Sequence, residues 1–516
     1  MSAPRSPLTT IALGSLALVI ASCGARTTLD DFRESAGPTP SDAGRRDAGA
    51  RDAGRRDAGG PDAGPAGTPC LRDADCGLET LCTAARAFTP VDLAPHPLEC
   101  GATGPGLNEG GACVTSDDCT RRLCSLPGVC VEPCVSDDDC QPEERCRQTW
   151  VRTGTTMMQP LQACTAYVVA PMGVRVTGPE PAESVDPATT TSVALPTLAP
   201  NALVVWTSDD DTWPFVVDVR DDDPPSTIIF DSSVSGSIGQ PAPAWGIGSL
   251  TVGGDSLTVL YPNGALTPSP MSGFTFSLSS LAATRLTRVV AQRSNPGVTL
   301  DIDVYLVGGQ DLRSPDGSVP PVIRQGVQAA GAILASTGLM IGDVRVHEVV
   351  GQLRQRYAIL EMGSSPTGWP EELPALYRLS AGANRPSVAV FYAREIDGAL
   401  GIASGIPGVQ ILPGTGSSGV ALAGDMIRRN ELGMVMAHEI GHYMGLFHSS
   451  ELDGSVNDPH PDTPECRADR DTDGDGLLAP FECAGAGGDN LMFWAGQGTV
   501  ISPGQAEIMR RAYFVR

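Results

Sequence analysis

The sequence predicts a multidomain chain: disulfide-rich repeats, then a β-rich, sandwich-like domain, then a C-terminal module of the α/β (α+β) class. Three observations carry this. Twelve cysteines fall in three groups of four between Cys70 and Cys164. Short β-branched runs broken by Gly, Pro and Asp fill residues 165–298, and from residue 299 strand patterns alternate with helical ones. At 516 residues the chain also exceeds what one hydrophobic core usually supports.

The N-terminus carries Arg5, an apolar stretch from Leu8 to Ala21, and then Ser22-Cys23-Gly24. That layout reads residues 1–22 as an export signal, too short to span a membrane. A Cys at this junction resembles a bacterial lipobox, which implies cleavage before Cys23 and acylation of its thiol. An ordinary signal peptide with an incidental Cys is the alternative. Residues 23–69 then read as an unstructured tether: Asp-Ala-Gly recurs with a period of five from Asp42 to Gly64, interleaved with Arg, and such a segment cannot build a core. The expectation is an exported lipoprotein on the outer membrane or cell surface.

Charge narrows the partners. The formal net charge is −25, and all 35 basic residues are Arg. This excludes nucleic acid as the expected partner, because phosphate binding needs a basic surface.

With Cys23 set aside, 14 of the 15 cysteines remain, an even number suited to disulfides in an oxidising compartment. The groups are Cys70, Cys76, Cys82, Cys100; Cys113, Cys119, Cys124, Cys130; and Cys134, Cys140, Cys146, Cys164. Each opens with an acidic seven-residue segment, such as Cys134-Val-Ser-Asp-Asp-Asp-Cys140, so residues 70–164 are three small repeats stapled by two disulfides apiece. Four cysteines allow three pairings, and spacing does not choose among them. In 165–298, runs such as Ala202–Trp206, Phe215–Val219, Thr227–Phe230 and Ser256–Tyr261 predict a β-sandwich.

In the C-terminal module, 299–516, strands are expected at Leu300–Val307, Asp343–Val349 and Ser387–Tyr392, with a helix from Val322 to Ser336. Three of the six His residues then fall within eleven positions, at His438, His442 and His448. Leu432, Val435, Met436, Ile440 and Tyr443 recur at helical spacing around them, so His438 and His442 share a face and can bind one ion. Glu439 lies beside them as the candidate general base for a water at that ion. Gly445 can adopt the left-handed conformation that ends a helix and returns His448 as third ligand. Three protein ligands leave the fourth position open, as a catalytic Zn2+ site requires. His96, His347 and His460 read as structural.

The run His438-Glu-Ile-Gly-His-Tyr-Met-Gly-Leu-Phe-His448 resembles the metzincin zinc-protease motif. Asp462-Thr463-Pro464 and Ile501–Gln505 with Met509 are similar to the pappalysin (cytophagalysin-like) branch. The resemblance covers 299–516. It implies a mixed sheet with an active-site helix, a Met-turn for which Met492 is the candidate, and a zinc metalloendopeptidase acting on protein or peptide substrate. Trp494 stands two residues after that Met, so no Tyr ligand is assigned, and no cysteine switch is found upstream.

Between His448 and Met492, residues 471–482 match a Ca2+ loop: Asp471, Asp473, Asp475 and Glu482 at positions 1, 3, 5 and 12, Gly476 at position 6, and a carbonyl from Leu477. Pro480 argues against an exiting helix. Cys466 and Cys483 flank the loop and are expected to pair. A solvated acidic loop closed by that disulfide is the alternative. The sequence therefore predicts a membrane-tethered, Zn2+-dependent peptidase, with an inactive module inside a surface binding lipoprotein and a zinc hydrolase of non-peptide bonds as competing readings.

Overall fold

The computed structural model describes residues 69–72, 75–76, 81–84, 98–101, 106–152, 158–187, 190–195, 202–208, 211–221, 227–231, 246–247, 253–261, 273–308, 319–361, 372–424 and 431–516. The expected export signal, Cys23, the Asp-Ala-Gly spacer as far as residue 68, and His96 lie outside them. No helix among the described residues is long and apolar enough to cross a membrane.

The cysteine repeats pair first with third and second with fourth: Cys113–Cys124 and Cys119–Cys130, then Cys134–Cys146 and Cys140–Cys164, with Cys70–Cys82 following the same rule. The acidic seven-residue segments have a common purpose. Asp118 Oδ2 accepts from the backbone N–H of Val114 and Thr115, and Asp139 and Asp75 do the same for Val135, Ser136, Leu71 and Arg72. Each carboxylate satisfies amides that a core too small to bury them leaves exposed. Two long strands, Glu144–Arg152 and Met158–Ala166, pair antiparallel and give the repeats a four-stranded sheet with Cys124–Ser125 and Glu132–Pro133 at its edges.

Two antiparallel sheets follow. One orders Gly246–Ile247, Ser256–Tyr261, Ala202–Thr207, Thr284–Arg293 and Val174–Val185; the other orders Thr227–Asp231, Pro214–Asp221, Phe274–Ser280 and Thr191–Leu195. They pack face to face through Val204, Trp206, Leu257, Val259, Val216, Val219, Phe274 and Phe276. The alternate residues of the first sheet, Leu203, Val205, Leu260, Val289 and Ala291, point the other way into the core of the C-terminal module. Burial on both faces explains why Ala202–Trp206 is an unbroken apolar run.

The C-terminal module is built on β1 (Thr299–Leu306), β2 (Met340–Glu348), β3 (Val388–Ala393), β4 (Gly401–Ala403) and β5 (Val420–Ala423), in the order β2-β1-β3-β5-β4. All pairs are parallel except β4 with β5. The sheet is mixed, and its antiparallel strand is an edge. Helices α1 (Pro321–Leu334), α2 (Leu432–Met444) and α3 (Pro503–Arg511) complete the scaffold. Strand side chains alternate between two cores: Val388, Val390, Tyr392, Val420 and Leu422 meet α1 and α2, while Ala389, Phe391, Ala421 and Ala423 meet Leu376, Tyr377 and Leu126 of the cysteine-rich part. A Cβ on Gly326 would lie 2.7 Å from Leu432 Cδ2, so α1 and α2 approach where one helix has no side chain.

Expected and observed elements agree closely where hydrophobic periodicity is strong. The antiparallel edge strand is short, Gly401–Ala403, and the bond from Ser404 N–H to Gly419 O continues its pairing with β5 by one residue.

Candidate metal centre

Helix α2 ends at Gly445, whose φ of 118° is open to glycine. Gly445 N–H bonds to His442 O and Leu446 N–H to Gly441 O, closing the helix and turning the chain so that His448 comes back beside it. The three ligating candidates are thereby brought together. His442 Nε2 lies 3.1 Å from His438 Nε2 and 3.0 Å from His448 Nε2, and all three side chains are buried.

The outer nitrogens fix the tautomers. His438 Nδ1 lies 2.7 Å from Leu491 O, His442 Nδ1 2.7 Å from Leu446 O, and His448 Nδ1 3.0 Å from Glu451 Oε2. Each acceptor calls for a proton on Nδ1, so each Nε2 presents a lone pair to the other two. Three lone pairs about 3 Å apart repel unless a cation sits among them, and a tetrahedral Zn2+ with Zn–N near 2.0–2.1 Å separates its ligands by ~3.3 Å. The residues fit that ion. Burial holds the His438 pKa down to about 3 and His442 well below its usual value, so both stay neutral and able to ligate. At His448 burial lowers the pKa, but the charge and hydrogen bond of Glu451 outweigh it and the net shift is upward.

Met492 underlies this helix. A Cβ on Gly441 would stand 2.6 Å from Met492 Sδ, so the thioether fills the space beside the helix between the two histidines. The turn carrying Met492 is tied to the site at both ends: Leu491 O meets His438, and Met492 O accepts from Ser449 N–H next to His448. Asn490 Oδ1 accepts from Met492 N–H, and the Asn490 amide donates to Gln505, which caps α3 with Ser502.

Glu439 is buried, and the backbone of β4 runs against it: a Cβ on Gly401 would lie 2.6 Å from its Cγ and 2.7 Å from Oε1. The carboxylate thus lies between the helix and the antiparallel edge strand.

In the acidic loop, the structure gathers Asp471, Asp473 and Asp475, whose carboxylate oxygens lie within 4.8 Å of one another. Glu482 turns to Thr472 and the Ala479 amide instead, and Leu477 N–H bonds to Asp475 Oδ1. Cys466 and Cys483 pair across the loop, and no helix follows Pro480. Trp494 Nε1 donates to Leu478 O, linking this loop to the Met492 turn. His347 is structural, with Nε2 2.7 Å from buried Asp303. His460 is buried with its pKa lowered to about 4 by that burial.

Sequence reasoning missed Glu451 and Gly441. Each had a faint signal: an acid three residues after the third His, and a Gly just before the second.

No family model matches the sequence, and no curated protein matches it. Among solved structures, metalloproteinase-II from Bacteroides fragilis aligns at 14% identity and a TM-score of 0.19, covering 34% of this chain. The chain spans 57% of that protein's length. A family two carbohydrate esterase from Cellvibrio japonicus aligns at 11% identity and a TM-score of 0.12, covering 44% of this chain and 77% of the other. Likenesses this low do not extend to function, and the chemistry of the site rests on its own geometry.

Proposed function

We propose that this chain is a zinc-dependent endopeptidase of the metzincin type, in its pappalysin branch, exported and tethered to a membrane through Cys23. The observation that carries the reading is the convergence of three buried Nε2 atoms, each with its Nδ1 hydrogen-bonded, directly beside Glu439. When bound there, Zn2+ supplies Lewis acidity that polarises a scissile carbonyl and acidifies water.

The protein supplies the rest. Glu439 takes a proton from the attacking water as the new C–O bond forms and then returns it to the leaving amine nitrogen as the peptide C–N bond breaks. Burial keeps competing water away from that carboxylate. Because β4, among the described residues, pairs only through its β5 side, its other edge is available to an extended substrate backbone, which would lie along Gly401–Ala403 within reach of Glu439. Selection of protein or peptide over other ester or amide substrates follows from that edge.

Ca2+ is proposed as a structural ion on Asp471, Asp473 and Asp475, with Leu477 and Glu482 completing the loop after a local turn of the Glu482 side chain. The bond from Trp494 to Leu478 would carry the order of that loop to the Met492 turn.

Incubating the zinc-loaded ectodomain with casein and unstructured peptides, with and without a zinc chelator, tests the reading. Chelator-sensitive cleavage supports it. Zinc uptake without cleavage of any polypeptide favours a binding lipoprotein with an inactive module.

A further inference from the structure

Between β4 and β5 the chain makes an excursion, residues 404–419. It leaves directly from the strand beside Glu439. It then passes under the end of α2, where Gly408 N–H bonds to Tyr443 O, Val409 O accepts from Tyr443 Oη, and Gln410 Nε2 donates to Tyr443 O. Tyr443 follows the ligand His442. For a segment without regular structure, its outer backbone groups need partners as well.

Those partners come from the N-terminal modules. Thr258 Oγ1 donates to Pro407 O at 2.6 Å, Val169 N–H to Ile411 O at 2.8 Å, and Arg147 Nη1 to Pro413 O at 3.1 Å. Asp255 Oδ2 accepts from Gly416 N–H at 2.8 Å and from Arg378 Nη2 at 3.0 Å. Gly253 N–H reaches Ser417 Oγ at 3.0 Å, and a Cβ on Gly253 would lie 2.5 Å from the Gly416 backbone, so the two chains touch with no room for a side chain.

We propose that residues 404–419 wall the approach of an extended polypeptide substrate to Glu439, and that the β-rich domain and the cysteine-rich repeats form the outer support of this wall, with Asp255, Thr258 and Arg147 as positioning residues. This rests on the peptidase reading for its consequence, though not for the support itself. The bonds named above end on the wall and not on the ligating histidines, so loosening the wall weakens substrate binding and leaves the metal in place.

Asp255→Asn and the near-isosteric Thr258→Val test this in the full ectodomain, by amide hydrogen exchange, zinc content and peptide kinetics. Expected are exchange across 404–419 at least roughly 5-fold faster in each variant, as loss of one buried hydrogen bond implies, with exchange in α1 unchanged. Zinc content stays at the wild-type level, and KM rises roughly 5-fold while kcat stays within about 2-fold. Wild-type exchange in 404–419 for both variants overturns the proposal, as does faster exchange with unchanged KM. If Asp255→Asn fails to fold, Thr258→Val decides. A zinc-loaded wild type that cleaves nothing sinks the peptidase reading alone, and the exchange result then still decides whether the modules support the segment.

Discussion

His448 Nδ1 lies 3.0 Å from a carboxylate oxygen of Glu451, whereas His438 and His442 give their outer nitrogens to the neutral carbonyls of Leu491 and Leu446. One of the three ligands therefore has an anionic partner, which makes its Nε2 the strongest donor of the set. Glu451→Gln keeps a hydrogen-bonding group of the same size and removes the charge. Zinc affinity, measured by competition with a chromophoric chelator, is expected to fall about 10- to 100-fold with circular dichroism unchanged. An affinity equal to wild type would show that the carboxylate contributes nothing to the site.

Gly441 faces Met492 at a separation with no space for a methyl group. Gly441→Ala must displace the thioether or the helix, costing roughly 1–3 kcal/mol, whereas Met492→Leu nearly preserves volume and should cost less than about 1.5 kcal/mol. Thermal unfolding of the two variants should rank them in that order, and the alanine variant should also bind zinc more weakly. Equal melting temperatures would contradict the packing described.

Asp458 is buried among His460, Thr463 and Gln505, with Asp462 nearby, and burial lifts its pKa from 3.8 to about 7. Between roughly pH 4 and 7 the folded protein therefore holds a proton that the unfolded chain has released, so this group makes stability fall as pH rises through that window. His460 acts in the opposite sense between about 6.5 and 4, but it is present in both proteins and drops out of a difference. Asp458→Asn should consequently gain stability relative to wild type as pH rises from 4 to 7, at up to about 1.4 kcal/mol per unit. Denaturant melts at pH 4.5, 6 and 7.5 give the slope; a flat or negative one contradicts the assignment.

The acidic loop gives a separate test. Millimolar Ca2+ should raise the melting temperature of the zinc-loaded protein and protect residues 471–483 from proteolysis, and Asp471→Ala with Asp475→Ala should remove both effects. Identical melts with and without Ca2+ would leave a solvated loop closed by Cys466–Cys483.

What could be seen in the sequence was what local rules dictate. His438, Glu439 and His442 announce themselves because helical spacing alone puts both imidazoles on one face, and Gly445 because a left-handed residue must end the helix before His448 can return. The strands of the β-rich part were visible as β-branched runs. That Leu203, Val205 and Leu260 would bury against the C-terminal core was not, since an apolar run gives no sign of what covers each face. The pairing within each cysteine group is local, but spacing allows three choices and selects none, whereas the bonds from Thr258, Val169 and Arg147 to residues 407–413 join segments far apart in the chain, and no periodicity encodes them. Glu451 escaped because an acid in a loop is ordinary until a buried imidazole is found against it.

In the proposed reaction Glu439 moves the proton in peptide hydrolysis at a zinc held by His438, His442 and His448. The kcat of the zinc-loaded Glu439→Gln ectodomain on an unstructured peptide, with metal content determined on the same sample, tests this most directly. Full zinc occupancy and a kcat lower by at least about 100-fold are expected, the scale of a lost general base. Wild-type kcat at full zinc occupancy would contradict it.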